Sequence, residues 1–342
     1  MINYQNKEQK IVGVVLASIT IFIWGITFIC TKYLLKTFSA LEILIVRFLF
    51  AYIGLWILSR KTLTLKEKKD ELLFIAAGLF GVTVYQFLEN IAINFTSANN
   101  VSIIVSICPM FTAIIAQIFL KEKHITPTFC IGFLVAMAGI VLVTFNGTIA
   151  LHLSPKGDLL AFLAALSWGF YSLFLSKINS KGYTSLAATR RIFFWALIFM
   201  IPLSLFGKLA GHGISITEDV GSLVSSSGAS IGERLSSTFI CLNPAVNKFR
   251  WSNIMNWVNL LFLGLGASAF CFAAWNKACL YIGTVKATLG IYLIPVVTII
   301  FSFIFLHDKL TLMGTIGALL TISGLFISEI KLGKKENSNM KS

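Results

Sequence analysis

The chain contains ten apolar runs of about twenty residues, and no other feature restricts its possible folds as severely. A hydrocarbon core of about 30 Å takes about twenty helical residues to cross. Backbone inside it must satisfy its own hydrogen bonds, so runs of this length become helices. The runs are 11–30, 42–58, 72–91, 99–120, 127–145, 158–176, 188–206, 253–274, 287–306 and 312–330. They do not alternate at every second residue, as the strands of a membrane barrel would. Composition agrees: 57% of the 342 residues are hydrophobic and 12% charged, far from a soluble domain. The expected fold class is an all-α polytopic membrane protein with ten transmembrane helices.

The net charge of +14 does not point to nucleic acid, because Lys and Arg fall in short connections between runs rather than in one stripe. They read as topology. With the amino terminus in the cytoplasm, seventeen of the 28 basic residues lie on that side and eight on the other. The remaining three, Arg47, Arg190 and Arg191, lie inside helix ends. The positive-inside rule thus predicts a multi-pass plasma (inner) membrane protein with both termini cytoplasmic. The first run is longer than a signal-peptide core and lacks an A-x-A-like cleavage site, so it is expected to be a retained span. The six cysteines show no metal spacing and mostly sit in apolar runs, where packing is their expected role.

Internal repetition carries the most information. Trp24-Gly25 recurs as Trp168-Gly169, and the same shift of 144 carries Arg47 onto Arg191. A shift of 186 carries Asn90 onto Asn276, Pro109 onto Pro295 and Glu122-Lys123 onto Asp308-Lys309. The two shifts differ by 42 residues, which must be an insertion in the second half between Arg191 and Asn276. Segment 207–252, rich in Ser and Gly, fits it and reads as an extracytoplasmic loop. The domains are then a five-helix repeat over 11–145 and another over 158–330 with the 207–252 insertion. Because five is odd, the second repeat enters the membrane from the opposite side. This inverted topology lets two halves rock about a central site in alternating access.

The stretches WGITFICTKYLL, VRFLFAYIGL and FTSANNVSIIVSICPMFTAIIAQIFLKEKHITPTFCIGFLVAMAGIVLV in the first half are echoed in the second. The echoes are DLLAFLAALSWGFYSLFLSK, ATRRIFFWAL and LGIYLIPVVTIIFSFIFLHDKLTLMGTIGALLTISGLFI. In this order, twice over, they resemble the EamA domain of the drug/metabolite transporter superfamily across nearly the whole chain. The resemblance implies export or exchange of a small metabolite, such as an amino acid, nucleoside or drug-like solute, from a cavity between the halves. The inserted loop departs from that family's compact pattern.

Candidate solute-binding residues follow from the cost of polar groups in apolar helices. Trp24 and Trp168 sit near the middles of their runs, where an indole N–H needs a buried partner or a wet cavity; helix packing beside Gly25 and Gly169 is the alternative. Tyr171 lies one turn from Trp168 on the same face. Run 72–91 holds Tyr85, Gln86, Glu89 and Asn90 within an arc of about 140°. Glu89 is the acid inside a span. Proton coupling or contact with a solute amine is one reading of it, and simple hydration in the last turn is the other. Asn276 matches Asn90, and Tyr292 precedes Pro295 by one turn and is expected to face the same cavity. Arg47 and Arg191 are near helix starts, where snorkelling to headgroups is the leading expectation and binding of an anionic solute the alternative. Pro109 and Pro295 interrupt equivalent runs and are candidate hinges.

The partners expected are a small-molecule solute, the lipid bilayer and protons as a coupling ion, with no cofactor, metal or nucleic acid. A membrane-embedded enzyme and a channel or scaffold subunit are the competing readings. HExxH, paired-aspartate and Walker A patterns are missing from the sequence, and His124, His152, His212 and His307 fall in loops or at run ends. The expectation is therefore a carrier rather than an enzyme.

Overall fold

The structure, a computed structural model, describes residues 7–35, 37–60, 63–95, 98–145, 154–209, 250–306 and 311–329. Most of the insertion, with Cys241 and His212, lies outside the described residues, as do His152, His307, Asp308 and Lys309. The described chain is helical and contains no strand.

Helices α1 (Lys7–Leu34) and α2 (Ala40–Leu58) are joined by a tight turn. Ser39 there forms a reciprocal capping box with Glu42, which satisfies backbone donors at both ends of the box. Helix α3 (Glu71–Gly78) passes through a π-helical stretch, Leu79–Val84, into α4 (Tyr85–Phe95). Helices α5 (Ala98–Val105), α6 (Cys108–Phe119) and α7 (Pro127–Phe145) complete the first half. The second half runs α8 (Pro155–Ser180), α9 (Ser185–Leu209), then α10 (Ile254–Leu261), which continues through π-helical Phe262–Phe270 into α11 (Cys271–Ile282). It ends with α12 (Thr284–Leu289), a 3₁₀ turn at Gly290–Tyr292, α13 (Leu293–Leu306) and α14 (Leu312–Glu329).

Among the described residues, seven helices are long and apolar enough to cross a membrane, and Ile103–Phe119, Thr284–Thr298 and Leu312–Ser328 are shorter apolar helices. Two of the ten runs divide beside the prolines expected to interrupt them. Run 99–120 divides between α5 and α6, with Pro109 in the first turn of α6; run 287–306 divides at the 3₁₀ turn, just before Pro295. Proline has no N–H to return to the carbonyl four residues back and its ring clashes there, so each helix restarts around it.

Packing joins the two halves throughout. Helix α1 lies along α11 and α13, while α8 lies along α4 and α6. Helix α2 packs on the second π-helical stretch, α9 packs on α3 and the first, and α7 pairs along its length with α14. Glycines set the closest approaches. A Cβ at Gly78 would meet the backbone of Ile192 and Ala196, and one at Gly264 would meet Phe50 and the Arg47 carbonyl. Along α7 and α14, Gly132 faces Gly324 and Ser328, and Gly139 faces Gly317 and Thr321, so backbones touch directly. Close approach of small residues is how apolar helices gain dispersion contact where lipid offers no hydrophobic drive.

Two polar clasps lie at the helix ends. The Asp70 carboxylate receives Lys181 Nζ at 2.5 Å and the Tyr183 hydroxyl at 2.5 Å, tying the start of α3 to the α8–α9 turn. Next to it, Glu71 takes a bidentate pair from Arg191 and a hydrogen bond from Trp195 Nε1. Elsewhere, buried Arg250 donates to Glu42 Oε1 at 3.2 Å and to the Thr37 carbonyl at 3.3 Å, and lies 4.9 Å from the Phe38 ring centroid.

Candidate functional site

Four helices from both halves place aromatic rings in one buried cluster. Trp24 of α1 lies 5.7 Å from Trp168 of α8 and 5.1 Å from Trp275 of α11, ring centre to ring centre. Trp168 in turn meets Tyr85 of α4 at 5.0 Å and Tyr171 at 5.1 Å. Phe272 touches Trp24, Trp168 and Tyr171, and it reaches Phe48 and Phe193 on its other side. Most of these contacts are edge-to-face or tilted, the arrangement that ring quadrupoles favour.

The two π-helical stretches shape this cluster. A π turn bonds i to i+5 and disturbs the regular carbonyl ladder, which opens acceptors to side chains. Trp24 Nε1 donates to the Ala267 carbonyl at 3.0 Å in the second stretch, and Ser167 Oγ donates to the Phe80 carbonyl at 2.7 Å in the first. Gly81 gives the Tyr171 ring its seat, since a Cβ there would collide with that ring.

A polar group adjoins the rings. Arg47 Nε donates to Ser268 Oγ at 2.5 Å and Nη1 to Gln86 Oε1 at 3.4 Å, while the Tyr85 hydroxyl hydrogen-bonds the Glu89 carboxylate. Arg47 and Glu89 attract one another, and each is only 8% exposed. Two expectations are thereby corrected. Arg47 does not snorkel to headgroups; Ser268 and Gln86 offer its guanidinium acceptors inside the protein. Nor is Glu89 in a last, hydrated turn: the helix continues to Phe95 and the carboxylate turns inward. Arg191, the repeat counterpart of Arg47, is committed to Glu71 instead.

A second polar group locks three helices together. The Tyr171 hydroxyl donates to Asn276 Oδ1 at 2.7 Å, Asn276 Nδ2 donates to Thr189 Oγ1 at 2.6 Å, and Thr189 Oγ1 donates to the Ser185 carbonyl at 2.7 Å. Every link has its partner, so this chain rigidifies the wall of the cluster.

The structure thus brings together Trp24, Tyr85, Gln86, Glu89, Trp168, Tyr171 and Asn276. Asn90 is buried on the same helix as Glu89. Tyr292 is placed apart, in an apolar cluster with Phe129, Ile140 and Leu289, near Phe133 at 6.5 Å. Sequence reasoning missed Ser268, Phe272 and Trp275 as members of the site and put Arg47 at the headgroups first, with solute binding second. A signal existed for Arg47, which lies five residues inside its apolar run, too deep for a terminal anchor.

Comparison with known proteins follows the same lines. The sequence profile of the EamA-like transporter family matches residues 11–145 and 232–329. The chain belongs to the EamA-like transporter family. Among its EamA relatives, an "Uncharacterized transporter" of Archaeoglobus fulgidus is 25% identical over 92% of this chain and 96% of the relative. A "Probable terminal-alkyne amino-acid exporter" of Streptantibioticus cattleyicolor is 22% identical over 94% and 95%. A solved crystal structure superposes with a TM-score of 0.66 over 96% of this chain and 99% of that one at 15% identity, which establishes a shared fold. The EamA membership and the long apolar helices make this an integral membrane transporter.

Proposed function

We propose that the chain is a secondary carrier of a small organic solute, built as two inverted five-helix repeats, 11–145 and 158–330, that rock about the aromatic cluster. The observation that carries this reading is the reciprocity of packing. Shifting by 144 and 186 turns the contacts of α1 with α11 and α13 into those of α8 with α4 and α6. The same shifts turn α2 on the second π-helical stretch into α9 on the first. Two copies of one unit, exchanging helices in this way, meet about a pseudo-two-fold axis, which is where inverted-repeat carriers hold their solutes. Pro109 and Pro295 divide equivalent helices and serve as paired hinges in this scheme.

The solute site comprises Trp24, Tyr85, Gln86, Glu89 and Trp168, with Tyr171 and Asn276 as its fixed wall. Amino acids enter as the first solutes to test because one relative is named as an amino-acid exporter. Both termini are cytoplasmic on this reading, and Glu89 is the group through which protons couple, with Arg47, Tyr85 and Cys108 around it.

Counterflow in proteoliposomes tests the proposal. A panel of amino acids, nucleosides and cationic drugs should contain a solute whose uptake is accelerated by its own presence inside. A channel gives no such acceleration, and its absence for every solute in a folded preparation would overturn the carrier reading. Gln86→Ala should slow transport of the active solute without lowering membrane abundance. Glu89→Gln should flatten the pH dependence of transport, and an unchanged profile would remove Glu89 from the coupling step.

A further inference from the structure

We propose that the central site takes a small aromatic or apolar carboxylate whose oxygens accept hydrogen bonds from the indole N–H groups of Trp168 and Trp275; this rests on the carrier reading above. The two indoles lie 6.1 Å apart, ring centre to ring centre, and are 3% and 0% exposed. Neither N–H has a hydrogen-bond partner among the described residues. A buried donor without an acceptor carries the full cost of its desolvation, so two of them in one cluster mark a place where an acceptor arrives from outside.

The repeat provides an internal control. Trp24 is the counterpart of Trp168, sits in the same ring cluster, and has its N–H taken by the Ala267 carbonyl. The residue equivalent to Ala267 in the first half is Gly81. There the Tyr171 ring lies against the glycine, and the neighbouring Phe80 carbonyl is held by Ser167. The same tryptophan position is therefore closed by backbone in one half and left with a donor to spare in the other. Trp275 has no tryptophan counterpart: the equivalent position of the first half holds Glu89, an acid where the second half has a donor.

Charge decides what kind of acceptor fits. Arg47 is buried beside Gln86, whose neighbour Tyr85 meets Trp168, and it is also bonded to Ser268, next to the Ala267 that Trp24 uses. Guanidinium has five N–H donors, and two are assigned here. Two neutral donors beside a cation favour an oxygen acceptor bearing negative charge, because charge-assisted bonds are roughly twice as strong as neutral ones. Glu89 receives the Tyr85 hydroxyl and attracts Arg47. Trp24 and Phe272 supply ring faces and edges for the solute's apolar part.

Binding of 3-phenylpropionate and of 2-phenylethylamine to the purified full chain, read by thermal shift and calorimetry, tests this. The two probes share a ring and a two-carbon arm and differ in charge sign. The carboxylate should bind and raise the melting temperature, and the amine should not. Trp168 and Trp275 are then each replaced by benzothienylalanine, which keeps the bicyclic ring but has sulfur in place of N–H. Each replacement should weaken 3-phenylpropionate at least about tenfold, as expected for one lost bond to a charged group. Binding of the amine alone, binding of neither probe, or unchanged affinity in both replaced proteins would each overturn the assignment, the last by showing that water serves the donors. Counterflow of some other solute would in those cases leave the carrier reading standing, so the two failures are told apart.

Discussion

Replacing Asn276 with leucine would leave the Tyr171 hydroxyl without its acceptor deep inside the bundle and take one donor from Thr189, which keeps its bond to the Ser185 carbonyl. Hydrogen bonds between membrane helices contribute about 0.5–2 kcal/mol each, and the Asn276 side chain makes two of them, while the bond that its backbone carbonyl accepts from Asn179 survives the substitution. The expected result is a melting temperature lowered in detergent, with any solute affinity reduced as the Tyr171 wall loosens. An unaltered melting temperature would mean that the chain of bonds bears no strain in the fold. At this scale the sequence was partly legible. Trp24, Trp168 and Asn276 stood out because a repeated or polar residue in an apolar run has few neutral explanations. Trp275 and Ser268 did not, because a tryptophan without a repeat partner and a small hydroxyl residue both pack readily in ordinary helices. Only the register of the π-helical stretch turns them toward the site.

Helices act here through their ends and their glycines. The Lys181 ammonium is held above its usual pKa range, first by its hydrogen bond to Asp70, and burial and the bond to Asp70 push the Tyr183 phenol upward as well. Both groups are protonated in the clasp, and both folded values are raised. Their contribution is therefore fully present below the ordinary Lys and Tyr values and is lost as pH climbs through the raised ones. Lys181→Met should lower thermal stability at neutral pH and leave a shallower decline on the alkaline side. A decline parallel to that of the parent protein would show that the clasp does not couple to folding. The α7–α14 pair makes a separate prediction. Gly139 and Gly317 face each other's backbone, so neither has a flexible neighbour to yield, and Gly139→Val should cost about 1–3 kcal/mol of stability by separating the helices. Helix existence was readable from apolar length alone. The π-helical stretches were not, since Leu79–Val84 and Phe262–Phe270 look like ordinary helix in composition and are set by tertiary packing.

On the scale of the whole molecule, the insertion is the part that the repeat arithmetic marks as additional, and the structure fixes where its far end must attach. Arg250 is buried against the α1–α2 turn, bonded to Glu42 and the Thr37 carbonyl and stacked near Phe38, and its own carbonyl accepts from Asn256 Nδ2 at 2.8 Å. A deletion that removed Arg250 would leave Glu42 without its charge partner in a half-buried capping box. One confined to residues 210–249 should not, because it leaves Leu209 and Arg250, and shortening a connection changes closure entropy only slowly. A short Gly-Ser bridge in place of 210–249 should therefore yield a protein with the parent's detergent stability. Combining that bridge with Arg250→Ala should lower the stability. The α1–α2 turn and the Asp70 clasp lie at opposite ends of α2 and the connection that follows it, so on the proposed topology the insertion faces outward. In a variant that keeps Cys241 as its one cysteine, an impermeant maleimide should label intact cells. A cysteine placed at Ser342 should label only after permeabilisation, and the reverse pattern would invert the molecule in the membrane.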